Sequence, residues 1–387
     1  MRHAAVAAAL AGLSLTTPLI ANAQLSRPKI DTVGGHVVRV MNPGPTAWVD
    51  TNGWKLVLER TIQPKDGEPG ELENPTGVIL LRDGRTVVYQ RAPARLRLYD
   101  AQGRFVRDIS REGEGPGEIR RPLVGVYGDT VVAFDAGRGR ATLLTLEGKR
   151  VREFLTNTHA DGPPISLDAR GRLRVERGRI VGDAVRKEWF YFDPVGKQLD
   201  SIVPPEAGPY KGWVVKSNGG IGTYGIPLAA NTQYAFRNDG TILYGAWDRY
   251  AFVLSRHGAD TTLIFGRSGV APTPISSGLR DSLFTLSTGN PEVAAIASKR
   301  DIPTSFPLWN DAAFDGSGNL WVSAGLARLR NLHFDLFSPA GRYLGAVPAP
   351  FASAARASWS TDRVAVIDTD DNDLPRVRIY RIDRRGK

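Results

Sequence analysis

The chain contains no cysteine. That absence excludes a disulfide framework, a thiol nucleophile, a thiolate metal centre and a lipid-modified cysteine at an export cleavage site. Histidine is scarce, with five residues, and these form no H-E-x-x-H zinc pattern. No G-x-S-x-G nucleophile elbow occurs. Beyond the first residues, no stretch approaches the ~18 to 20 apolar residues that a membrane-spanning helix needs. A chain without covalent cross-links must be held by its core, and the remaining ~360 residues suffice for that in one large β domain.

The first residues read as a secretory leader. Arg2 supplies a positive start, residues 4–20 are apolar or small, and Ala21-Asn22-Ala23 is an A-x-A cleavage site. Pro18 and the short apolar core argue against an uncleaved anchor helix. Residues 1–23 are therefore expected to be removed, leaving a periplasmic or secreted protein that begins at Gln24. The formal net charge is +10, and ten of the fifty basic residues are lysine, so the rest are arginine. These arginines are interleaved with acids along the chain, and only the tail containing Arg376, Arg378, Arg381, Arg384, Arg385 and Lys387 is dense. That distribution points to no specific nucleic-acid partner.

A repeat is visible. Residues 65–75 read KDGEPGELENP and residues 111–122 read REGEGPGEIRRP. Pro69, Gly70, Glu71 and Pro75 align with Pro116, Gly117, Glu118 and Pro122 at a constant offset of 47, a propeller-blade period. Between the two copies lie four short runs of alternating or continuous apolar residues, punctuated by Arg82-Asp83-Gly84 and by Asp100 to Gly103. Period-two alternation with Asp-Gly and Asp-x-x-Gly turns describes four antiparallel strands. The same unit recurs at turns near residues 128, 171, 240, 318 and 362. The last copy lacks its outer strand. Residues 54–62 have strand composition and run straight into the first Gly-Glu-Pro-Gly-Glu loop, as every later outer strand runs into its own loop. The sequence thus predicts an all-β fold, a six-bladed β-propeller over residues 54–387 whose ring is closed by that N-terminal strand, preceded by an extension, 24–53. Trimming the extension is expected to destabilise much less than deleting 54–62.

Two insertions interrupt the repeat, at roughly 203–231 and 268–309. In the second, Leu279, Leu283 and Leu286 are spaced for one helical face, and Asn290-Pro291 reads as a cap and first-turn proline.

The segment 128–154 resembles the NHL-like and TolB-like six-bladed propellers of exported bacterial proteins. Val132-Ala-Phe-Asp135, Arg140 and Gly148 stand where that group has its strand aspartate, arginine and turn glycine, and 111–118 is similar to its inter-blade loop. In the first blade, Gln90 and Arg91 replace the usual aspartate. The wider group includes binding modules, lyases and lactonases. The resemblance therefore implies either a module that binds a protein, peptide or glycan on one ring face, expected to be a monomer, or a calcium-dependent, lactonase-like hydrolase or lyase with its site in the central channel.

Candidate residues follow. For calcium in the channel, Asn231, Asn310 and Asp311, with Glu73 and Asn74, precede predicted inner strands. A second calcium candidate is the loop Asp368, Asp370, Asn372, which spaces oxygen ligands at positions one, three and five but has Asp373 where a calcium loop has glycine. A solvated hairpin is the alternative. For a binding face, Trp213, Tyr224 and Trp309 are aromatics in the insertions; the alternative is that they cover the insertions' own small core. Gly220-Ile-Gly-Thr-Tyr-Gly225 matches G-x-G-x-x-G, but Pro227 follows and no helical period appears, so a nucleotide site is not expected.

Overall fold

The structure, a computed structural model, describes residues 27–44, 53–135, 137–156, 166–181, 184–217, 220–256, 258, 260–324 and 332–384. The leader and the last three residues lie outside them. Six antiparallel sheets form a propeller ring. Blade one is built from Pro75–Leu80, Thr86–Arg91, Ala94–Tyr99 and Phe105–Arg111, ordered from the channel outward. Its two middle strands are almost wholly buried, while the outer strand turns half its residues to solvent. That gradient matches the sequence: TVVYQR and ARLRLY inside, FVRDISR outside. Blade two repeats it with Pro122–Tyr127, Thr130–Asp135, Arg140–Thr145 and Arg150–Leu155.

Ring closure follows the sequence expectation. Trp54–Ile62 pairs antiparallel with Pro375–Arg384, from Trp54 opposite Arg384 to Ile62 opposite Val377, and becomes the outer strand of blade six. Ile62 is 1% exposed, in a core shared with Val78, Leu80, Val377 and Ile379. Closing the ring removes free sheet edges from its two ends.

Neighbouring blades meet through apolar cores. Val87, Leu96, Val131 and Leu144 fill the seam between blades one and two. Phe252, Phe265, Trp309 and Phe337 fill that between four and five. The seam between blades three and four is different. There Trp189 meets Tyr234 and Phe236 edge-on, with centroids 4.9 and 5.3 Å apart, and the Arg174 guanidinium lies over both Trp189 and Phe236.

The extension carries more bonding than the sequence suggested. Lys29–Val33 and Val37–Pro43 form a hairpin whose second strand runs parallel to Thr261–Ser268, widening blade four to six strands. Val37 and Val40 are buried, and buried Asn42 donates to the carbonyls of Gly266 (2.8 Å) and Gly341 (2.9 Å) and accepts from the Tyr343 amide (2.9 Å). Trimming this segment therefore removes tertiary bonding from blades four and five.

In the second insertion, α1 (Ser277–Ser287) and α2 (Pro291–Ala294, capped by Asn290) form as the spacing predicts. One detail differs: Leu283 and Phe284 turn inward, whereas Leu286 is 81% exposed.

Candidate binding surfaces

Each blade runs from an inter-blade loop down its innermost strand to a first turn, so the ring has two chemically distinct faces. The face of the inter-blade loops also receives both insertions. These are far apart in sequence yet fold into one platform. The hairpin Gly212–Ser217 and Gly220–Gly225 packs Trp213 and Val215 against Val293 and Ile302, with Leu283 and Phe284 around them. Trp213 Nε1 donates to Asp301 Oδ2 at 2.8 Å, and Asn290 Nδ2 donates to the Tyr224 hydroxyl at 3.1 Å. The G-x-G-x-x-G segment is one strand of this hairpin and opens no helix, so no helix N-terminus faces a phosphate there.

The structure separates the three nominated aromatics. Trp213 is buried in the platform core. Trp309 is 1% exposed, stacks edge-on to Phe252 at 5.0 Å and donates to the carbonyls of Ala246 and Arg249. Neither can present its ring at a face, because each is consumed in packing. Tyr224 remains at the surface, and Tyr210 and Ile296 are also exposed in the same two insertions.

The nominated calcium ligands are held by protein donors. Asp368 is paired with Arg376 (2.9 Å) and Arg378. Asp370 Oδ1 accepts the amides of Asn372 and Leu374, and Oδ2 accepts from Gln63 at 2.7 Å. The amide of Leu374 and the Gln63 side chain hold this carboxyl below its usual range. Four other turn aspartates make the same pair of bonds to the amides two and four residues on: Asp100, Asp168, Asp193 and Asp315. In those turns the residue three on is a glycine with positive φ, and in the acidic loop Asp373 occupies that position at φ 60°. The departure from a calcium loop is thus a propeller turn written without its glycine. Asn372 donates its amide to that turn.

Toward the channel, Asn231 bonds both the amide and the carbonyl of Lys211, closing the base of the first insertion. Asn310 accepts from Trp247 Nε1 through its carbonyl and donates its amide to Ser323. Asp311 accepts from the hydroxyls of Ser323 (2.5 Å) and Ser353 (2.7 Å) and from the Ala355 amide. Glu73 is engaged by Arg97 at 3.5 Å, and its amide donates to Gln90. Among the described residues, no three His, Asp or Glu side chains gather where they could hold a metal ion.

The opposite face carries a feature that sequence reasoning missed. A cavity of about 240 Å³ opens among the inner strands and first turns of blades one to four. One wall is apolar: Ile79, Val124, Val126 and Leu167. The other carries Arg172, Arg174 and Arg237 with Tyr191 and Phe236. Each guanidinium lies over an aromatic ring. Arg172 sits 5.8 Å from Tyr191, Arg174 sits 3.3 Å from Phe236 and 4.6 Å from Trp189, and Arg237 sits 5.9 Å from Phe314. Asp168 pairs with Arg172, and Asp239, outside the lining, pairs with Arg237. Burial pushes the Arg174 guanidinium down to about 10 and raises the Tyr191 phenol, which stays neutral. No linear motif could reveal this grouping, since the three arginines come from two blades.

No family model and no curated protein sequence matches this chain. Among solved structures, one described as an exported protein of Bacteroides fragilis is similar over 87% of this chain and 98% of its own, at 13% identity and a TM-score of 0.51. A DUF4221-family member from Bacteroides vulgatus is similar over 86% and 99%, at 10% identity and a TM-score of 0.45. Virginiamycin B lyase from Staphylococcus aureus is similar over 84% and 99%, at 11% identity and a TM-score of 0.38. At such identities the likeness is one of architecture, and the chain is a six-bladed β-propeller.

Proposed function

We propose that this protein is an exported binding module of the NHL-like or TolB-like propeller type. In this reading residues 1–23 are removed, 24–53 extend the propeller of 54–387, and the monomer works in the periplasm or outside the cell. It holds a protein, peptide or glycan on the face of the inter-blade loops. The supporting observation is the joined platform. Two insertions that the ring does not need for closure share a core of their own and leave Tyr210, Tyr224 and Ile296 exposed. Tyrosines on a rigid support offer large contact area with a polar tip, which suits peptide and sugar recognition.

The test is to probe glycan and peptide arrays with the mature protein and to measure each hit by titration calorimetry. Replacing both Tyr210 and Tyr224 with serine should weaken a true hit by about tenfold or more, as loss of interface tyrosines does. Hits indifferent to that change would refute the reading. So would turnover on a lactone panel that requires added calcium and disappears in Asn310→Ala, the outcome expected of a channel hydrolase or lyase.

A further inference from the structure

The cavity at the first-turn mouth of the channel lies away from the platform, on the other face of the ring. Its two walls differ in kind. Blades one to three contribute the aliphatic side Ile79, Val124, Val126 and Leu167, and blades three and four contribute the three guanidiniums. Asp168 is the one carboxylate among the lining residues, and Asp239 beside them pairs with Arg237, so three guanidiniums face two carboxylates and one positive charge is in excess. An occupant must satisfy both walls at once: an apolar body on one side and an anionic group on the other. We propose that this mouth is a binding site for a small organic carboxylate with an aromatic or branched aliphatic body.

Size sets the class. With about 30 Å³ of liquid volume per water, 240 Å³ corresponds to about eight waters, which a ligand of roughly eight to twelve non-hydrogen atoms would fill. This is below the ~300 to 1,000 Å³ of pockets for drug-sized ligands. Charge selects the head group. Guanidinium forks match a planar carboxylate. The fixed carboxylate of Asp168, held on Arg172 at 2.6 Å, disfavours a dianion such as phosphate. Arg172 and Arg237 are each roughly a quarter exposed and paired with a neighbouring aspartate, so an incoming carboxylate shares each guanidinium with Asp168 or Asp239. Arg174 is fixed between two rings, and burial disfavours its charge.

The experiment uses the mature full-length protein and 4-fluorobenzoate, a monocarboxylate of about the required size, observed by 19F NMR line broadening. Saturable binding at millimolar concentration or tighter is expected, displaced by benzoate. 4-Fluorobenzamide, of the same shape without the charge, should bind about tenfold or more weakly, and inorganic phosphate should compete poorly. Arg237→Gln, at a part-exposed position that leaves the core untouched, should weaken binding about fivefold or more. Tyr210→Ser/Tyr224→Ser, on the platform, should leave it unchanged, so this site and the proposed platform function stand or fall separately. Equal binding of acid and amide, wild-type affinity in Arg237→Gln, or no broadening at 10 mM ligand would each overturn the assignment.

Discussion

Ring closure by residues 54–62 can be tested covalently because the chain has no cysteine of its own. Val57 lies opposite Arg381 in the antiparallel pairing of blade six. Directly opposed residues in such a pair have Cα atoms ~4.5–5.5 Å apart, within the range a disulfide spans. Val57→Cys/Arg381→Cys should therefore oxidise completely and intramolecularly, with faster migration on non-reducing gels. The bridge closes a loop of roughly 325 residues, for which the chain-entropy treatment gives more than 5 kcal/mol and experience gives ~2–4. With an unfolding entropy of ~2.1 cal/mol/K per residue over roughly 360 residues, each kcal/mol moves Tm by about 1.3 °C. Oxidation should thus raise Tm by about 3–5 °C relative to the reduced double variant. The converse perturbation is Ile62→Ala. It empties a site that is 1% exposed, in the core joining blades six and one. Such truncations cost ~2–5 kcal/mol, about 3–7 °C here. Glu59→Gln on the same strand removes only the exposed pair with Arg363 (2.8 Å) and should cost at most about 1 kcal/mol. Failure of the cysteines to pair in the folded protein, or an Ile62→Ala variant that melts like wild type, would refute the closure.

Two further outcomes follow from particular contacts. Asn42→Ala deprives the carbonyls of Gly266 and Gly341 and the amide of Tyr343 of their buried partner, and should cost about 2–4 kcal/mol in denaturant titration. In acid, burial alone would raise the Asp239 carboxyl, but the bonds from Arg237 and Thr241 outweigh it and hold the group at about 2. Its folded value lies below the unfolded ~3.9, so its stabilisation is complete above that value and is lost as pH falls toward 2. Asp335 follows the same sign. Burial works against its charge, and His333, Arg267 and the Tyr250 hydroxyl hold it below the ordinary value. Tm of wild type should fall between pH 4 and 2, and an Asp239→Asn variant should show a shallower fall over that window.

The architecture was legible because propeller turns are local chemistry. Asp100, Asp168, Asp193 and Asp315 each cap their own turn through amides two and four residues away, so the device can be read from one strand's end without knowing its neighbours. The closing strand was legible for a related reason: it leads into the same loop as every other outer strand. What escaped depends on distant partners. The pairing of Val37–Pro43 with blade four is fixed by Asn42 and by residues more than two hundred positions away. The tryptophans of the insertions looked equally suited to a face or a core. Only the packing of one insertion against the other placed Trp213 inside, and only the seam of blades four and five placed Trp309 there. The acidic loop reads two ways in the sequence, since alternate oxygens can ligate calcium or cap a turn, and Asp370 shares its turn-capping bonds with four counterparts.

Arg174 shows where folding and binding pull apart. Five of the six seams hold an apolar cluster, one of them together with buried Arg267 over Tyr343 and paired to Asp335, whereas the seam between blades three and four seats Arg174 between Trp189 and Phe236. Cation–π contact returns about 0.5–2 kcal/mol at such a site, while desolvating a charge costs several. For stability alone, a methionine of similar length and no charge would serve as well. Arg174→Met should therefore leave Tm unchanged or raise it by a few degrees, and at the same time abolish 4-fluorobenzoate binding at the channel mouth. A residue that improves the fold when removed and ends ligand binding is held for its charge. If Arg174→Met instead lowered Tm by more than about 3 °C, the penalty of a core truncation, the guanidinium would be structural cement for that seam, and its burial would be no sign of a ligand.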